Sequence, residues 1–248
     1  MEPLTYDLIK SRCCVNIPEQ EQYLLCYKNV NLHFIIIMKK ILPTENDFGT
    51  ITNEQRNSVI NISTCKCRAN KLLVLKIVDY LTGEEFDKMI NKNQFYISPD
   101  IKTTTYIKNE IVYPDYFDNN LDIICGAGIH YYNSLDPCIF SRYESIRTYK
   151  YNGKLKIYCE DGGLKEDLNF INGKKHGICQ IYNNRGELSC IKNYIDNIEI
   201  SKDFDEEIYD GGKTKILYYK DGGKRLIFFN IKGEIIFETY RSPFVSKD

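Results

Sequence analysis

Asn172-Gly-Lys-Lys-His-Gly177, followed by Tyr182-Asn-Asn-Arg-Gly186-Glu-Leu188, sets glycine turns between short strand-forming runs. Asn-Gly supplies the positive φ angles that tight hairpins demand, so each glycine can close a hairpin and each aromatic run can form a strand. The same texture continues outward. Asp161-Gly-Gly, Asp210-Gly-Gly and Asp221-Gly-Gly repeat one turn motif, and Gly211, Gly222 and Gly233 lie eleven residues apart. Between them run alternating segments such as Lys215-Ile-Leu-Tyr-Tyr219, Leu226-Ile-Phe-Phe229 and Ile235-Ile-Phe237. A hairpin alone cannot bury its apolar face, whereas hairpins stacked in series share a continuous core. An elongated sheet is therefore expected from Tyr149 to Tyr240, with Ile198 to Glu207 as an acidic interruption.

Upstream of Tyr149 the pattern is mixed. Tyr23 to Tyr27, Leu32 to Leu42 and Leu72 to Val78 read as strands, the last apolar enough to be buried on both faces. Thr82 and Glu85 stand at capping-box spacing ahead of Phe86, Met89 and Ile90, which predicts a short helix over 83–91. Further strands are expected at Gln94 to Ile97, Thr104 to Val112 and Ile123 to Tyr132, and Asp136-Pro137 opens a helix through Tyr143. The fold class is α+β: an N-terminal α+β domain over 1–147, then an all-β array of stacked hairpins over 148–248.

The chain has 248 residues with 33 Lys plus Arg against 34 Asp plus Glu, a net charge of −1. That balance supplies no field to gather nucleic acid, so no such partner is expected. Phe34-Ile-Ile-Ile-Met38 is cut by Lys39 and Lys40, too short to span a bilayer. The start carries Glu2 and Asp7 and lacks the layout of a secretory signal, so the ten cysteines are expected as free thiols in the cytoplasm.

The Asn172 to Leu188 unit resembles the MORN repeat and its antitoxin-like variant, and Tyr151-Asn-Gly153-Lys-Leu155 looks like the start of a preceding unit. This resemblance implies protein–protein contact or self-association as a homodimer, and in some cases binding to membrane lipid, for which Lys174, Lys175, His176 and Arg185 are the candidates. Glu160, Asp161, Glu166 and Asp167 lie beside them and weaken a lipid face. Cys65-Lys-Cys-Arg-Ala69 and Cys125-Gly-Ala-Gly-Ile-His-Tyr-Tyr132 together resemble an uncharacterised domain of large DNA viruses, which implies the host cytoplasm or the virion and no known activity.

Three chemical readings were weighed against plain structural ones. Gly128-Ile-His-Tyr-Tyr132, with Tyr143, is similar to a segment of ADP-ribosyltransferases in which an aromatic platform meets nicotinamide; this makes Gly128, His130, Tyr132 and Tyr143 pocket candidates. Against it, His33 sits in Leu-His-Phe, no matching glutamate is apparent, and a tight turn into a strand explains Gly126-Ala-Gly128 more simply. Cys65, Cys67, Cys125 and His130 lack the paired-knuckle spacing of structural zinc, so buried thiols are expected and no metal or cofactor. A Cys125–His130 nucleophile pair is disfavoured because an extended strand would set the two about 16 Å apart on opposite faces. The expected function is that of a non-enzymatic interaction or self-association module.

Overall fold

The computed structural model describes residues 4–31, 33–93, 102–140, 150–209, 212–219, 223–230 and 232–241. The chain is mostly β-strand in several antiparallel sheets, with few helices. Helix α1 (Tyr6–Arg12) starts on Thr5, whose hydroxyl accepts from Leu8 N. Strands β1 (Leu25–Val30), β2 (Phe34–Lys39), β4 (Leu72–Asp79) and β7 (Ile111–Val112) form a four-stranded sheet in the order β1-β2-β4-β7. Strand β3 (Cys67–Ala69) pairs with β8 (Ile129–Tyr131), and β5 (Lys88–Asn93) with β6 (Lys102–Ile107). Helix α2 spans Leu135–Phe140.

Strand β2 shows how the sheet sorts its side chains. Ile35 and Ile37 point to one core with Val78, and Ile36 and Met38 to a second with Val74 and Ile77. All are fully buried, as the continuous apolar runs require for a sheet covered on both faces. The first core is closed by α1, by α2 and by the beginning of the hairpin array: Tyr151, Leu155, Leu168, Phe170 and Cys179 pack among Ile9, Cys138 and Ile139.

The helix expected over 83–91 is replaced by a turn and β5. Gly83 takes φ +84°, Phe86 N donates to Ile77 O at 2.9 Å, and the Phe86 ring packs edge-on against Phe34. The Thr82 hydroxyl accepts from Glu84 N at 3.1 Å, a local turn in place of a cap. Six residues of β5 find strand partners on β6, and that ladder outweighs the helical stripe of Phe86, Met89 and Ile90. The strand expected over 123–132 is confined to β8; residues 121–128 form turns and bends. The expected strand Gln94 to Ile97 and the boundary between 147 and 148 lie outside the described residues.

The array is one nine-stranded antiparallel sheet: β9 (Gly153–Tyr158), β10 (Leu164–Ile171), β11 (Lys174–Lys175), β12 (Gly177–Tyr182), β13 (Leu188–Ile195), β14 (Ile198–Tyr209), β15 (Gly212–Tyr219), β16 (Lys224–Asn230) and β17 (Ile235–Arg241). The acidic stretch from Ile198 is thus the twelve-residue strand β14 and no interruption. The repeating unit is 24 residues, 150–173 and then 174–197, as the backbone makes plain. Asn172 and Gly173 take φ 52° and 75°; Asp196 and Asn197, one unit on, take 52° and 74°. Gly173 N donates to Tyr151 O at 2.9 Å, and Asn197 N to Lys175 O at 3.0 Å.

The other turn of each unit repeats too. In Cys159 to Gly163, Asn183 to Glu187 and Asn230 to Glu234 the first N–H donates to the fifth carbonyl, and the fourth N–H returns to the first carbonyl. The fourth residue is Gly162, Gly186 or Gly233, at φ 92°, 76° and 80°, and strand register shifts beside each turn. This is a three-residue hairpin loop with a glycine bulge, in which only an αL residue keeps the ladder in step. Gly211 and Gly222 of the eleven-residue rhythm lie outside the described residues.

Candidate functional site

The two distinctive N-terminal segments meet. Cys67 pairs with Tyr131, Arg68 with His130 and Ala69 with Ile129, so Cys65-Lys-Cys-Arg-Ala69 and Cys125 to Tyr132 make one small sheet. Tyr132 extends it to β1, exchanging backbone hydrogen bonds with Tyr27 at 2.8 and 2.9 Å.

Arg68 organises this sheet. It is fully buried, and its guanidinium donates to the carbonyls of Ile123 (2.9 Å), Ala127 (3.1 Å), Asp118 and Asn120 while lying over the Phe117 ring at 5.0 Å. Burial works against the Arg68 charge and the nearby Asp118 carboxylate favours it, so a cation this deep is tolerable when its donors are met this fully. The wrapped loop explains Gly126-Ala-Gly128. A Cβ on Gly126 would meet Asp118 Oδ2 at 2.8 Å, and one on Gly128, at φ +149°, would meet Phe117, Ala69 O and Arg68 at 3.2 to 3.3 Å. A side chain at Gly128 would therefore press on all three neighbours. Two clefts of 340 and 460 Å³ lie elsewhere, on the α1 and α2 side, separated by the hydrogen bond from the Tyr6 hydroxyl to Asp136.

His130 is mostly buried, and its Nε2 has no hydrogen-bond partner among the described residues. Burial and the nearby Lys28 and Lys66 ammonium groups push its pKa down to about 4. Tyr132 is held above the ordinary phenol range by burial. Tyr143 lies outside the described residues.

Cys65 and Cys67 are fully buried with their sulfurs 3.2 Å apart. The hydrogen bond between the thiols, with Arg56 nearby, lowers the Cys65 pKa, and the same bond together with burial raises that of Cys67. Among the described residues no group of three or more His, Cys, Asp or Glu is arranged to hold a metal ion. Beside the pair, Glu54 accepts from the Tyr131 hydroxyl (2.6 Å), Lys40 (2.9 Å) and Asn133 (2.9 Å). Burial works against its charge, and these donors outweigh it to lower its pKa.

Cys125 is exposed and lies in the turn region before β8, so the extended geometry assumed for a Cys125–His130 pair does not arise. Its partners are others: Lys66 Nζ at 3.2 Å and Glu160 Oε1 at 3.3 Å, with Lys66 and Glu160 themselves 2.9 Å apart. Burial opposes the Lys66 charge, but Glu160 and Cys125 raise its pKa, and Lys66 in turn lowers that of Glu160. Sequence reasoning passed over Lys66 although it lies inside the quoted Cys65 to Ala69 motif. Its partnership with Glu160 spans 94 positions and leaves no local signal.

Glu160 belongs to the first array turn, which is docked. Ile60 N donates to Asp161 O (2.9 Å), Lys66 N and Arg56 Nη2 donate to Glu160 O (3.0 and 3.1 Å), and the Thr64 hydroxyl donates to Gly162 O (2.7 Å). At the other end of the array the environment reverses. Ile235, Ile236, Phe237 and Tyr240 on β17 are 59, 62, 57 and 47% exposed. Lys175 lies over Tyr194, His176 stands 3.9 Å from Asp196, and Arg185 belongs to an exposed turn.

A family model, described as a family of unknown function (DUF5758), matches residues 13–137. No curated protein and no solved structure matches the chain.

Proposed function

The chain belongs to the DUF5758 family, whose function is unknown, and from that premise we propose that it is a non-enzymatic interaction module: an N-terminal α+β body carrying a MORN-like hairpin array that binds a protein partner, foremost a second copy of itself. The reading places it in a large DNA virus, acting in the host cytoplasm or virion. The observation that carries it is the asymmetry of the sheet. At the β9–β10 end the array is capped by the body and shares its core, whereas at β17 it ends on exposed Ile235, Ile236, Phe237 and Tyr240. Stacked repeats need caps at both ends, and an apolar terminal strand offers unpaired backbone to another chain. The nucleotide-using reading is less favoured, because Phe117, Ala69 and Arg68 crowd Gly128. The lipid reading is less favoured, because acidic residues such as Asp196 beside His176 stand among the basic candidates.

Light scattering coupled to size exclusion tests the proposal on the full chain. A concentration-dependent dimer is expected, with Ile235→Lys plus Ile236→Lys shifting it to monomer. A strict monomer at high concentration would remove the self-association half of the reading.

A further inference from the structure

Cys125, Lys66 and Glu160 are brought together from three segments, the loop wrapped on Arg68, the lead into β3 and the first array turn. The role in partner binding proposed above makes no use of them. We propose that Cys125 is a site of oxidation by hydroperoxides, its sulfur held between the Lys66 ammonium and the Glu160 carboxylate. The thiol is exposed, so a small oxidant can reach it. Lys66 donates to the sulfur at 3.2 Å, and the Cys125 thiol donates to the Glu160 carboxylate at 3.3 Å, which positions Glu160 to receive the proton as the sulfur attacks. Glu160 also fixes the ammonium at 2.9 Å, making it a positioning residue.

The sulfur attacks one peroxide oxygen, forming an S–O bond as the O–O bond breaks. The leaving hydroxide or alkoxide takes a proton from Lys66, which solvent replenishes. In sum, thiol plus hydroperoxide gives sulfenic acid plus water or alcohol; sulfur loses two electrons and the peroxide gains them.

The chain holds its own control. Cys14 is also exposed, but its sulfur meets the Lys10 backbone carbonyl, at 3.3 Å. Lys76, paired with Glu85, reaches the Cys14 backbone carbonyl at 3.2 Å, so what separates the two thiols is contact of the ammonium and carboxylate with the sulfur itself.

Full-length protein treated with hydrogen peroxide and trapped with a cyclic 1,3-dione, then read by peptide mass spectrometry, tests this. Cys125 should label roughly threefold or more faster than Cys14, because its sulfur has a proton acceptor and an acid for the leaving oxygen within hydrogen-bond reach. Lys66→Met should bring the two rates together and Lys66→Arg should restore the difference. Equal labelling of Cys125 and Cys14 in the unmodified protein would overturn the proposal without any variant, as would an unchanged ratio in folded Lys66→Met. Neither outcome depends on the oligomeric state.

Discussion

Gly162→Ala and Gly186→Ala change equivalent residues of successive repeats, and the structure assigns them different costs. Both glycines are left-handed, at φ 92° and 76°. An alanine there costs about 1 kcal/mol in backbone strain. At Gly186 nothing lies within 4 Å of the added Cβ, so that strain is the whole effect. At Gly162 the Cβ would stand 2.2 Å from Asn61 O and 2.9 Å from Cys65 N, both backbone atoms. Relief needs a shift of about 1 Å, more than a hydrogen bond of ordinary length can follow.

The bonds at risk are the five that dock the turn, from Ile60, Asn61, Lys66, Arg56 and Thr64. Losing two or three at about 1 kcal/mol each places Gly162→Ala near 3–4 kcal/mol. For a chain of this size about 3 °C accompanies each kcal/mol. Thermal unfolding followed by circular dichroism should then fall by roughly 10 °C for Gly162→Ala and roughly 3 °C for Gly186→Ala. Equal shifts would refute the docking of the first turn.

His130 is neutral in the folded chain down to about pH 4, against about 6.5 unfolded. The unfolded chain therefore binds the extra proton first, and stability drops as pH falls from about 6.5 toward 4; urea midpoints across that window should decline less in His130→Asn. Asn183 and Asn230 each accept two backbone N–H groups and donate to Glu187 or Glu234 in matching turns. Alanine at either should cost a similar ~1 kcal/mol in urea unfolding, and a strong disparity would mean that the two turns are not equivalent. Hydrogen exchange should be slow in β9, β10 and β12 and faster in β16 and β17; uniform protection across the sheet would contradict the gradient of burial.

How far the fold is legible in the sequence depends on how local its causes are. The hairpin turns announce themselves at Asn172-Gly173 and at the glycines Gly162, Gly186 and Gly233, because positive φ has few residue types to draw on. The 24-residue period is harder to see, since Asp196-Asn197 repeats the conformation of Asn172-Gly173 without its letters. Strands β2 and β4 are legible from uninterrupted apolar runs. Helix against strand over 83–91 is not, because the deciding partner, β6, comes later in the chain and shows nothing in the local pattern. At the candidate site, Cys65 to Ala69 and Cys125 to Tyr132 stand out as unusual segments. Their pairing, and the reach of Lys66 to Glu160, are long-range facts.

The family match ends at residue 137, and the first array turn begins beyond it. Yet the surface that receives that turn, from Arg56 to Lys66, lies wholly inside the match. A segment of turns with few ladder partners of its own is costly to order in isolation, because its exposed backbone groups gain little by being fixed. The Asp161-Gly162 turn supplies those partners, and Gly162 is the residue whose missing Cβ lets two backbones approach so closely. Body and array thus complete each other at this seam, with Lys66 contributing to it through both its backbone and its ammonium. The far end of the sheet receives no such completion from the described residues, so an added partner gains most at β17.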